Sequence, residues 1–208
     1  MATTPTGPAR VPLIQRVKNI LTTPRTEWPV IDSEPDTIGG IYKNYVVILA
    51  AIPAVCLLVG MLLLGGRFVS MSFLVAQAVI TYLVALAGIY ILALIIEALA
   101  PSFGGTKDRV KAFKVAAYAY TAAWVAGIFY LLPPLAIVMG LVGGLYSLYL
   151  LYLGLPVLMK TPADKSVVYT VAIVVAALVI SFVLAAITAP IVWSIAGPAA
   201  SLPAAYPG

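Results

Sequence analysis

Five long apolar runs dominate this chain of 208 residues, and short clusters of charged residues separate them. A helix needs about 20 apolar residues to cross a hydrocarbon core of about 30 Å. The runs that approach or exceed this length cover residues 45–64, 68–96, 115–132, 135–159 and 167–189. None of them alternates with the period of two expected of a lipid-facing strand. The sequence therefore predicts an all-α, polytopic integral membrane bundle of about five transmembrane helices.

Composition excludes a soluble globular protein. Hydrophobic residues make up 63% of the chain, charged residues only 9%, and the mean hydropathy is +1.10. Three early prolines and the lack of a short apolar core before a small-residue cleavage site also argue against a removable signal peptide. We expect the first apolar run to remain in the mature protein.

The basic residues predict the orientation in the membrane. With five spans, eleven of the twelve lysines and arginines fall on the side of the amino terminus, and only Arg67 falls on the other side. Short basic loops stay in the cytoplasm. We therefore expect three parts, which are a cytoplasmic amino-terminal segment (1–43), a five-helix membrane domain (44–196) and a short, uncharged external tail (197–208).

The amino-terminal segment contains a candidate interfacial helix. Apolar residues recur there at helical spacing, and they are Leu13, Ile14, Val17, Ile20 and Leu21. Arg16 and Lys18 lie on other faces, so we expect the helix to rest on the anionic inner leaflet. Trp28 is the expected interfacial anchor. A docking site for a soluble partner is the alternative interpretation of this segment.

Small residues and tyrosines mark the fourth run. Gly140 and Gly144 form a small-xxx-small pair that permits close helix approach, and Tyr146 and Tyr149 continue along the same helix. Packing within the chain is the simplest interpretation, and a pore lining or an oligomer interface is the alternative. Two adjacent prolines at 133 and 134 predict a tight hairpin between the third and fourth spans.

The chain lacks the side chains of several membrane enzyme classes. It has no histidine, no aspartate within a predicted span and no phosphate-binding loop. We therefore predict a non-enzymatic protein with no catalytic residues, no metal and no cofactor.

Glu97 is the one acid close to a predicted span, and an acid within a membrane is a functional candidate. Its position, four residues before Pro101, favours an interfacial carboxylate that pairs with the basic loop containing Arg109. The alternative is a proton or cation site, for which Gln77 is a candidate polar neighbour.

Several short motifs together resemble the Yip (Ypt-interacting protein) domain family. Residues 21–31 (LTTPRTEWPVI) are similar to its Pro-x-x-x-Trp-x-x-Ile segment, and further similar segments lie at 45–53, 103–107, 116–124 and 150–159. The resemblance covers about residues 13–189, with Ala122 where proline is expected. It implies a five-span bundle with a cytoplasmic amino terminus. Eukaryotic members act in vesicle traffic and bind small GTPases of the Rab type, whereas this chain resembles the bacterial branch, for which no such partner is implied.

Three classes of function stay open from the sequence. We favour a membrane scaffold or accessory subunit in a bacterial cytoplasmic (inner) membrane, because small-residue helix surfaces are present without a catalytic constellation. The alternative is a transporter, channel or lipid-moving protein with Glu97 near its path, and an enzyme would need a partner to supply its chemistry. The expected partners are the lipid bilayer and either other membrane subunits or a second copy, and no nucleic acid.

Overall fold

The computed structural model describes residues 11–64 and 71–196, and every regular element within these ranges is a helix. Two short helices, α1 (Leu13–Thr22) and α2 (Pro24–Ser33), come before the membrane spans. Five helical stretches are long and apolar enough to cross a membrane. The first to fifth spans are Ile38–Leu63, Met71–Phe103, Arg109–Leu131, Pro134–Leu158 and Ala163–Val192. The prediction of an all-α, five-span membrane bundle is confirmed.

Some spans combine more than one helical element. The first joins α3 (Ile38–Ile41), a π-helical turn (Tyr42–Val46) and α4 (Val47–Leu64). The second consists of α5 (Met71–Leu99) and a 3₁₀ turn (Ala100–Phe103). The third joins α6 (Arg109–Ala119), α7 (Thr121–Ala126) and a 3₁₀ turn (Gly127–Leu131). The fourth and fifth are the single helices α8 (Pro133–Leu158) and α9 (Ala163–Ala196).

Local sequence sets where several helices begin and end. The Asp108 carboxylate accepts the backbone N–H of Lys111 at 2.9 Å and so caps the third span. Pro24 occupies the first position of α2, where a missing N–H costs nothing. Gly104 ends the second span at φ +75°, a left-handed conformation that glycine adopts without steric cost.

The third span is the centre of the bundle. Its most apolar part is 72% buried within the protein, against 6% for the fifth span, which lies at the periphery. The third span is also the least hydrophobic of the five. Neighbouring helices cover it, and small side chains such as Ala112, Ala116 and Ala117 let them approach closely.

The amino-terminal segment and two connections meet at one end of the bundle, which we call the basic end. The backbone N–H of Thr106, between the second and third spans, donates to the Met159 carbonyl at 2.7 Å. Lys160, between the fourth and fifth spans, reaches Asp32 of α2 at 2.8 Å. Three sequence predictions lie outside the described residues. They concern Arg67, which is predicted for the opposite side, Arg10 and the tail at 197–208.

Helix α1 is present where the amphipathic pattern predicts it, but its faces differ from the prediction. Ile20 is fully buried and Ile14 is 82% exposed. Arg16, expected on the polar face toward lipid head groups, is only 3% exposed. The interpretation of Arg16 as a membrane-surface residue is wrong, because α1 packs against α2 and the third span and turns this side chain inward.

Candidate functional site

A buried ionic cluster holds the amino-terminal segment on the bundle. We call it the docking cluster, and its members are Arg16, Glu27, Glu34 and Lys114. The Arg16 guanidinium donates hydrogen bonds to the carboxylates of both Glu27 and Glu34. It also lies over the ring of Tyr118 in the third span, 5.8 Å from the ring centroid. A buried guanidinium is tolerated only with such partners, so α1, α2 and the third span are fixed together here.

Lys114 joins α2 to the third span. Its side chain is 4% exposed, and its ammonium donates to the backbone carbonyls of Ile31 at 2.7 Å and Glu34 at 2.5 Å. Carbonyls at the carboxyl end of a helix lack partners within the helix and carry partial negative charge. Lys114 therefore caps α2 from a different part of the chain.

Asp32 adds a more exposed ion pair at the rim of the same surface. Its carboxylate lies 2.9 Å from Lys111 and 2.8 Å from Lys160. Burial raises the pKa of Asp32. The hydrogen bonds and the positive charges of the two ammonium groups together lower it by more, so the pKa of Asp32 is below its usual value. Its contribution to docking is therefore present at neutral pH and is lost as the pH falls through that lowered pKa.

Trp28 is a core residue and not an interfacial anchor. Its side chain is fully buried, and a Cβ placed on Gly154 of the fourth span would lie 2.8 Å from the Cζ2 atom of the indole ring. Only glycine leaves room for this ring. The prediction that Trp28 anchors at the membrane interface is wrong, because the docked α2 places the ring between itself and the fourth span.

Glu97 pairs with the basic loop, as its position near Pro101 indicates. Arg109 Nε donates to Glu97 Oε2 at 2.8 Å. The Glu97 residue is 7% exposed, whereas the Arg109 side chain is 56% exposed. The carboxylate therefore sits at the basic end of the second span with its charge compensated.

The other predicted residues are separated in the structure. Gln77 lies in the second span and makes a long contact of 3.5 Å with Thr81 of the same helix, so it does not join Glu97. Tyr146 donates its hydroxyl hydrogen to the Leu21 carbonyl at 2.7 Å and thus supports docking of α1. The Tyr149 ring lies 5.6 Å from the Tyr146 ring and is 37% exposed.

The close helix contact of the fourth span is made by Gly143 and not by Gly140 or Gly144. A Cβ on Gly143 would lie 2.9 Å from the Ala122 carbonyl oxygen in the third span. Nothing lies within 4 Å of a Cβ placed on Gly140 or Gly144. The simplest interpretation of Gly140 and Gly144 was that they pack against another helix of the same chain. This interpretation is wrong, because both glycines point away from the rest of the molecule.

Sequence reasoning missed the docking cluster. The acids between residues 27 and 36 were evident, but the basic partners of Glu27 and Glu34 lie 11 to 80 positions away in the chain. One signal was available, since Lys114 stands at the start of an apolar run, and a lysine inside a span needs a partner. Among the residues that the structure describes, no group of three or more His, Cys, Asp or Glu side chains is placed to hold a metal ion.

Five apolar spans and an amino-terminal segment docked on their basic end define a multi-pass helical membrane protein. The Yip1 domain matches residues 18–187, so the chain belongs to the Yip1 domain family, as the short motifs indicate. Inner membrane protein YohC of Escherichia coli strain K12 is 28% identical over 189 residues, which cover 86% of this chain and 96% of that protein. Its counterpart in Escherichia coli O6:H1 strain CFT073 gives the same values. No solved structure matches the chain.

Proposed function

We propose that this protein is a non-enzymatic membrane scaffold or accessory subunit that binds a neighbouring membrane protein, or a second copy of itself, through the outer face of its fourth span. The observation that carries the proposal is the open surface at Gly140 and Gly144, where an added Cβ meets nothing within 4 Å. Two glycines one helical turn apart form a shallow groove into which another helix can pack its backbone.

The surroundings of this groove suit a helix partner. Ile137, Leu141 and Leu145 flank the glycines and are 64% to 74% exposed. Large side chains beside small ones create ridges and a groove, and association within a bilayer depends on such packing because lipid is as apolar as the helices. Helix α2, which the docking cluster joins to the third span, also packs against the fourth span where Trp28 meets Gly154.

The relatives suggest where this scaffold resides. The two Escherichia coli proteins are named inner membrane proteins. We place this chain in the corresponding bacterial membrane, with its basic end and amino terminus in the cytoplasm, since the basic residues cluster at that end.

A transport path through Glu97 has less support. Glu97 is paired with Arg109, and neither Glu97 nor Gln77 lines the cavity that lies between the second, third and fifth spans. A carboxylate that cycles a proton or cation needs access to such a path. A scaffold function, by contrast, requires no charged side chain within the spans.

Site-specific photocrosslinking in native membranes tests the proposal. A benzophenone amino acid at Leu141 should give discrete protein adducts, whereas the same probe at Leu178 on the fifth span, equally exposed at 64%, should give none. Both probes reach lipid, so the comparison isolates a protein neighbour of the fourth span. Equal adducts at the two positions, or none at either, would contradict this assignment.

A further inference from the structure

An elongated cavity lies between the second, third and fifth spans, and it is separate from the docking cluster and from the glycine pair. Its volume is about 430 Å³. Lining residues include Gly88 and Leu92 of the second span, Tyr120 and Trp124 of the third, and Ser181 and Thr188 of the fifth. We call this cavity the slot.

The length of the slot follows from the helices that line it. Its wall runs from Thr81 to Ile95 on the second span and from Ala177 to Thr188 on the fifth. At a rise of about 1.5 Å per residue these stretches measure about 21 Å and about 16 Å. One leaflet of a hydrocarbon core of about 30 Å is about 15 Å thick. The slot is therefore about as long as one layer of lipid chains.

The width of the slot limits which molecules can bind in it. Divided by a length of about 16 to 21 Å, the volume of the slot gives the centre of a water-sized sphere a mean cross-section of about 20 to 27 Å². The walls are therefore about 8 to 9 Å apart. A helix with side chains is about 10 Å wide and does not fit. A single hydrocarbon chain does fit, because carbon atoms pack at about 3.5 to 4.0 Å from their neighbours.

The chemistry of the wall agrees with this occupant. The described lining is mostly aliphatic and aromatic, contains no charged side chain, and has only a few hydroxyl groups such as those of Thr81 and Ser181. Binding cavities for apolar ligands have this composition. A charged lipid head group would have no partner inside the slot, so only the chain enters.

The slot also has room and an entrance. A Cβ placed on Gly88 meets nothing within 4 Å, so the glycine leaves open space in the wall. The slot is partly open to the surroundings of the bundle, and Ser181 and Ala185 of its fifth-span wall are exposed. A chain can therefore pass sideways from the bilayer without crossing water.

We propose that the slot binds one acyl chain of a membrane lipid, held between the second, third and fifth spans as a fixed part of the bundle. The wall of the slot includes Trp124, which is 2% exposed, so a chain held there lies beside a residue that the surrounding lipids do not reach. The inference does not depend on the proposed scaffold function.

Tryptophan quenching by brominated lipid tests the proposal. The full chain is reconstituted into vesicles of phosphatidylcholine with either oleoyl or dibromostearoyl chains, and the Trp124 contribution is taken from the difference between each protein and its Trp124→Phe counterpart. We expect strong quenching of Trp124 in the parent. Gly88→Phe, which fills the slot from the second span, should abolish that component. Leu83→Phe adds bulk to the same helix at a side chain 56% exposed to lipid and should leave it unchanged.

A second variant provides the same test if the first one does not fold. If Gly88→Phe is not monodisperse, Ser181→Leu fills the slot from the fifth span and should likewise remove the Trp124 component. The proposal is overturned if Trp124 is not quenched in the parent. It is equally overturned if a folded slot-filling variant keeps the full Trp124 quenching, since the bromine atoms would then reach the ring by another route.

Discussion

Replacing Arg16 with methionine removes the cation that Glu27 and Glu34 share, and the structure gives the size of the effect. Methionine fills similar space without charge, so both carboxylates lose their cationic partner while staying in place. Glu27 keeps the hydrogen bond from the Asn19 side-chain amide at 3.0 Å. The Glu27 side chain is only 6% exposed, but that of Glu34 is 21% exposed and keeps part of its hydration. Breaking a buried ion pair from one side costs about 3 to 5 kcal/mol. Because Glu34 is partly hydrated, we expect the lower value, about 3 kcal/mol.

Thermal unfolding in detergent measures this cost. For a chain of this size, about 3 kcal/mol corresponds to a fall in Tm of about 6 to 12 °C. Tryptophan fluorescence is a suitable probe, because Trp28 is buried beneath the docked segment. The segment should also become accessible to trypsin at Arg25. Lys18→Met is the matched control, since Lys18 belongs to the same helix but is exposed.

Similar behaviour of the two variants would contradict this prediction. An Arg16→Met protein that melts within about 2 °C of Lys18→Met, and is cut by trypsin no faster, would show that the docking cluster does not hold the amino-terminal segment.

Three further predictions use other parts of the molecule. Glu97→Gln keeps an oxygen acceptor for its guanidinium partner, so abundance and function should match the parent, and complete loss of function at equal membrane abundance would point to a transport site. In a cysteine-free background, a membrane-impermeant maleimide added to intact cells should label a cysteine at Ser201 but not one at Lys107, and labelling at Lys107 would reverse the orientation. Gly154→Ala forces a methyl group against the Trp28 ring and should cost about 1 to 3 kcal/mol by overpacking. The same exchange at the outward-facing glycines of the fourth span should leave Tm unchanged.

The number and nature of the spans could be predicted because they follow from hydrophobic length, which every span must satisfy by itself. The third span is the one for which hydrophobicity gives the weakest prediction. It is the least hydrophobic of the five, and 72% of its most apolar part is buried within the protein.

The inward faces of the helices could not be predicted in the same way. Lipid and the bundle interior are both apolar, so hydrophobic periodicity does not identify which side of a span faces the protein. Gly140, Gly143 and Gly144 look equivalent in the sequence, yet only Gly143 contacts the third span.

The docking cluster could not be predicted from the sequence for a different reason. Arg16, Trp28 and Lys114 each have a common membrane-surface role when considered alone. Their actual positions depend on contacts between distant segments, such as the Lys114 ammonium with the end of α2. Such pairings are set by tertiary packing and leave no local pattern.

Affinity purification from native membranes tests the scaffold function most directly. The parent chain is compared with Gly140→Leu/Gly144→Leu. A Cβ at either position meets nothing within 4 Å, so we expect the fold and Tm of the single chain to be unchanged. We predict that the parent retains a stoichiometric membrane protein, or a second copy of itself, by quantitative mass spectrometry, and that the double variant loses it. A parent that retains no stoichiometric protein would contradict the scaffold function. So would a parent and a double variant that retain the same protein in equal amount.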